Sequence, residues 1–166
     1  MKKPVQDLNG HSRLSAPLAR QRGAVAIFIG LTIAVMLGFA GLALDLGRLY
    51  VNKSELQSAA DSCALAASKE LTCDVSAGPC GASYLQNAQN AGLTAGNRNQ
   101  RNFQSGSAGI TPASILFSTT LAPNANYLSI TAGAPPESRF VMCVTQQTGI
   151  VPWFMQILGV GNQTVN

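Results

Sequence analysis

The chain has 166 residues, the size of one ordinary domain or of a small domain plus an anchor. Charged residues make up 11% of it, against about 25% in a typical soluble protein, and 46% of the chain is hydrophobic. This excludes a highly charged disordered protein and argues against a freely soluble domain. The net charge of +4 resides in residues 1–22, where Lys2, Lys3, Arg13, Arg20 and Arg22 face only Asp7, so the basic balance reports a tail and not a basic surface.

Residues 23–44 form a run of 22 positions without a charge. As an α-helix it would span roughly 33 Å, about the thickness of a bilayer core. Its one polar side chain, Thr32, can bond back to its own helix. A buried core helix is disfavoured by the length of the run. A cleaved secretory signal would need an apolar core of only about 7–15 residues, although Gly41-Leu42-Ala43 would suit its cleavage site. The basic flank lies before the run, so the positive-inside rule predicts a cytoplasmic tail over 1–22, a transmembrane helix over 23–44 and export of everything after it. Ala26, Gly30, Ala34 and Gly38 recur every fourth position on one face, a seam on which another membrane helix can approach closely.

The helical pattern continues beyond Leu44. Leu46, Leu49, Leu56, Ala60, Cys63 and Ala67 follow at mostly helical spacing, and no Gly or Pro intervenes from Arg48 to Leu71. An amphipathic helical extension is therefore expected over 45–71. Asp45 and Arg48, three apart at the outer membrane edge, are spaced for a local ion pair and read as an anchor.

Residues 72–166 are close to the lower size for an independent core. Residues 82–95 have helical composition, and 92–111, rich in Gly, Asn, Gln and Ser, read as a loop or connector. Strands are predicted over 114–119, 126–131 and 138–145, with Pro123-Asn124 and Pro135-Pro136 as breaks and a short closing helix over 151–158. The expected fold class is α+β: a long N-terminal helix, then a small exported domain with a short antiparallel sheet.

Cys63, Cys73, Cys80 and Cys143 all follow the membrane run, and an even count in an oxidising compartment favours disulfides. Cys73 and Cys80 enclose a short turn-prone loop, and a Cys63–Cys143 bond would then tie the long helix to the strongest strand. Four cysteines allow three pairings, and spacing does not choose between them. Zinc usually needs C-x₂₋₄-C pairs, and no redox C-x-x-C is present.

The single histidine, His11, lies in the tail, so the exported part has no imidazole base for Ser-His or Cys-His chemistry. No phosphate-binding loop, zincin motif or dinucleotide fingerprint occurs. The acids Asp74 and Glu137 are the pair on which an acid-based enzyme would rest, and Glu55, Asp61 and Glu70 read as a solvated helix face. Arg98, Arg101 and Phe103 are too few for a nucleic-acid footprint. No cofactor, metal, nucleic acid or small-molecule substrate is predicted.

Several runs resemble the N-terminal segment of Tad/Flp pilus-assembly proteins of the TadE/TadG-like type. They are Gly41-Leu-Ala-Leu-Asp45-Leu-Gly47-Arg48-Leu-Tyr50, then Leu56-Gln57-Ser-Ala59-Ala60-Asp61, then Ala64-Leu65-Ala66-Ala67, entered by Arg22-Gly23. Residues 153–159 with Gln163-Thr-Val165 look like a segment that often closes the exported part of such proteins. The resemblance implies a non-enzymatic, single-pass component of pilus assembly in a bacterial inner membrane, its N-terminus cytoplasmic and its pilin-like head periplasmic. Its partners would be the bilayer and other transmembrane helices of a pilus-assembly or secretion machine. Gly23 and Ala24 would be a prepilin-type processing site, but Phe28 stands where related pilin-like members have glutamate. The chain is too short for the von Willebrand A-type domain of longer members, and a truncated reading frame would account for its end at Asn166. The alternative is a membrane-tethered periplasmic binding module unrelated to pili, with a ligand cleft within 82–166.

Overall fold

A computed structural model describes residues 22–73, 78, 80–81, 83–101 and 106–166. The tail with His11, the acid Asp74 and Phe103 lie outside the described residues. The chain divides into two compact units, Met1–Phe39 and Ala40–Asn166. Helix α1, Arg22–Glu70, contributes to both.

The described part of the first unit is helix throughout, as an unbroken run of apolar residues without Pro predicts. Val25, Ile27, Phe28, Leu31, Met36 and Phe39 are all more than half exposed, so among the described residues nothing covers this apolar surface. The Thr32 hydroxyl donates to the Phe28 carbonyl at 2.8 Å, which satisfies the one polar side chain within its own helix. α1 is the one helix among the described residues that is long and apolar enough to cross a membrane.

In the second unit the remaining part of α1 buries one face, through Gly41, Asp45, Asn52, Leu56, Ala59, Cys63 and Ala67. The spacing of three, four and seven keeps these residues in a single stripe. Its distal half is built of small side chains, so the next helix can approach closely. That helix is α2, Tyr84–Arg98, which buries Leu85, Ala88, Gln89, Gly92 and Gly96. A Cβ on Gly96 would stand 2.9 Å from the Cys63 Cβ, and one on Gly92 would stand 3.2 Å from the Cys63 carbonyl oxygen. Gly92 and Gly96 therefore act as a four-spaced contact seam. The expectation of a connector over 92–111 is corrected here: glycine composition reads as loop, but these glycines sit inside the helix where α1 leaves no room for a Cβ.

Among the described residues, three two-stranded antiparallel ribbons follow α2. β1 (Gln100–Arg101) pairs with β2 (Gly106–Ser107). β3 (Ile115–Ser118) pairs with β4 (Phe140–Cys143) in the register Ile115 to Cys143 and Phe117 to Val141. β5 (Gln147–Ile150) pairs with β6 (Gln163–Val165). Ile115 and Phe117 alternate inward and are fully buried with Ala59, Cys63, Ala67, Leu85, Ala88, Ala108 and Ile110. Burying each of the two large side chains contributes about 1.5–3 kcal/mol. The strand expected over 126–131 is instead a single bridge of Leu128 to Phe117 and a 3₁₀ turn at Ile130–Ala132. Asn97 replaces strand pairing at Ile110, donating to its carbonyl at 2.8 Å and accepting from its N–H at 3.0 Å. The fold class is α+β, as expected.

Two disulfides fasten the second unit. Cys63 on α1 bonds to Cys143 on β4, across 80 positions and with Cα atoms 6.2 Å apart. Cys73 bonds to Cys80 around the short loop, with Cα atoms 5.8 Å apart.

Candidate functional site

The most specific polar arrangement in the second unit centres on Asp45, the first residue after the uncharged run. Its carboxylate is buried, with the residue 3% exposed. One oxygen accepts from the Trp153 N–H at 2.9 Å, and the other accepts from Phe154 at 2.8 Å and Met155 at 2.7 Å. These donors open the 3₁₀ turn Met155–Leu158, whose own N-cap residue, Phe154, offers no side-chain bond. The first N–H groups of a helical turn need acceptors, and a carboxylate there also meets the favourable end of the backbone dipoles. Asp45 thus caps a turn about 110 positions away in the chain.

Two neighbours on the same face complete the clasp. One turn earlier, Gly41 lies against the Phe154 ring; a Cβ there would fall 2.6 Å from the ring Cγ. One turn later, the Arg48 guanidinium stands 4.9 Å from the centroid of the Trp153 ring and donates to the Val151 carbonyl at 3.3 Å. Arg48 therefore combines a cation–π contact with a backbone bond. The Arg48 carbonyl in turn accepts from the fully buried Asn52 amide at 3.1 Å. Burial opposes ionisation of Asp45, but the three N–H donors, helped by the Arg48 charge, outweigh it and hold the carboxyl below the usual carboxylate range. With its oxygens engaged by backbone donors, this carboxylate is arranged to hold a segment.

Of the other motif residues, Leu56 is buried, Ala60 is half-buried, and Gly47, Tyr50, Gln57 and Asp61 are exposed. Gly23, Ala24 and the seam residues Ala26, Gly30, Ala34 and Gly38 are exposed helical positions. Glu137 is exposed. Among the described residues no group of three or more His, Cys, Asp or Glu is placed to hold a metal ion. A polar groove of about 560 Å³, lined by Ser54, Glu55, Ser58, Arg98, Asn99 and Gln100, is the feature to which a binding-module reading would attach.

Sequence reasoning placed Asp45 and Arg48 at the membrane edge but did not join them to 151–155. The available signal was an acid at the end of an apolar run together with Pro152, which has no N–H, inside the uncharged stretch 140–166.

No curated protein and no solved structure matches the chain. Residues 23–78 match the family model described as "Putative Flp pilus-assembly TadE/G-like". The match begins at the glycine that opens the uncharged run and takes in Gly41, Asp45 and Arg48, so over residues 23–78 the chain is similar to the TadE/G-like segment of Flp pilus-assembly proteins.

Proposed function

We propose that this protein is a non-enzymatic, single-pass component of Tad/Flp-type pilus assembly, resident in a bacterial inner membrane with its tail in the cytoplasm and residues 45–166 in the periplasm. The family match over 23–78 carries the reading. The basic tail before the uncharged run supports the orientation. The two disulfides among residues that follow the run support an oxidising location for the head.

In this reading the seam Ala26, Gly30, Ala34 and Gly38 receives a partner helix of the assembly machine, since small residues let helices approach in lipid. Cys63–Cys143 and the Asp45 clasp fix the head on the helical extension over 45–71. Phe28, in place of the glutamate of related pilin-like members, favours a retained anchor over cleavage between Gly23 and Ala24. Deleting the gene and counting surface filaments tests the proposal. Loss of filaments, restored by the wild-type gene in trans, is expected; unchanged piliation, adhesion and secretion would sink it.

A further inference from the structure

We infer that residues 153–158 are a second membrane contact, lying in the headgroup–acyl boundary on the side where α1 leaves the bilayer. This rests on the proposal that the uncharged part of α1 spans the membrane. The first observation is level. Phe154 packs on Gly41, three residues inside the end of the uncharged run, and the backbone of 153–155 is bonded to Asp45 at its edge. A segment held at that height meets the interface whenever the run is in the bilayer.

The second observation is sidedness. Met155 faces inward at 9% exposure, while Trp153, Ile157 and Leu158 are 66%, 83% and 75% exposed. On α1 at the same level Leu44 and Leu46 are also exposed. The third is charge. After Arg139 no charged residue occurs up to Asn166, so nothing in this stretch demands full hydration. Tryptophan with a polar N–H and a large apolar body favours the membrane–water interface, and an adjacent Arg can keep its head in the headgroups. An amphipathic turn with apolar side chains on its outer face lies in that plane rather than across it.

Trp153 is the only tryptophan, which makes it its own reporter. The full-length protein is reconstituted into phosphatidylcholine vesicles, plain or brominated at defined acyl positions, and Trp153 emission is read with and without aqueous iodide. The expected result is loss of most of the emission with shallow bromines, less with deep ones, and weak iodide quenching. Ile157→Glu combined with Leu158→Glu should reverse that order. Iodide quenching without bromine quenching in the unmodified protein would overturn the inference, because the turn would then be in water. Protection from both quenchers would also overturn it, because the turn would then be covered by protein. A Phe28→Trp reporter in a Trp153→Phe background separates the two levels of the argument. Deep-bromine quenching of Trp at 28 establishes the spanning helix whatever Trp153 does, and its absence removes the premise.

Discussion

The Asp45 carboxylate and the Met155 N–H, 110 positions apart in sequence, meet at 2.7 Å. Trp153 and Phe154 bond to the same carboxylate, so a single side chain on α1 organises the entry to a turn that has no cap of its own. Asp45→Asn keeps the shape, removes the charge and points an amide donor at backbone donors. Amide exchange at Trp153, Phe154 and Met155 should accelerate about tenfold or more, as expected when a charged acceptor shared by three donors is lost. Unchanged exchange at those amides, read by mass spectrometry, would show that the clasp does not hold the turn.

The same carboxylate makes the clasp sensitive to acid. Its folded pKa is depressed, because the N–H donors and Arg48 outweigh the cost of burial. The stabilisation is therefore fully present above the ordinary carboxylate pKa and is lost as pH falls through the depressed folded value. Trp153 emission in the wild type should change on acidification over that range, reversibly. Asp45→Asn should show no such transition, and a transition of the same size in the variant would assign it to another group.

Glycine at 96 is a packing requirement. Gly96→Ala places a Cβ 2.9 Å from the Cys63 Cβ, with backbone behind it, and should cost about 1–3 kcal/mol through overpacking. Gly38→Ala, with nothing within 4 Å, is the matched control and should leave the stability of the head unchanged. Thermal unfolding of the two variants makes the comparison.

The two disulfides should differ in worth. In the chain-entropy model the Cys63–Cys143 bond, closing 80 positions, contributes about 4–5 kcal/mol, and the Cys73–Cys80 bond, closing 7, about 2–3 kcal/mol. Replacing each pair by Ser and measuring urea unfolding should rank them in that order. An equal loss from both would mean that the long bond acts through something other than loop closure.

Legibility in the sequence followed the range of the interaction. α1 was plain from 23 to 70, because its apolar run and helical spacing are local signals. β3 and β4 were legible because Ile115-Leu-Phe and Phe140-Val-Met have the β-branched and aromatic composition of strands. α2 was cut short because Gly92 and Gly96 weaken a helix in isolation, and the close approach of Ala59, Cys63, Ala67 and Ile110 explains them. The 126–131 stretch has strand composition, yet the αL glycine Gly133 closes a 3₁₀ turn there and leaves one bridge. The Asp45 clasp left little trace, since spacing along one helix says nothing about a partner at 153–155.

A retained single-pass anchor bearing an oxidised head is tested most directly by the intact mass of the protein extracted from its native membrane, alkylated before and after reduction. The predicted mass keeps the residues before Gly23, takes up no alkyl group before reduction and takes up four after it. A chain beginning at Ala24 would make it a processed, filament-bound subunit, one beginning near Leu44 would make the apolar run a signal, and alkylation before reduction would remove the disulfides; each of these results would contradict the prediction.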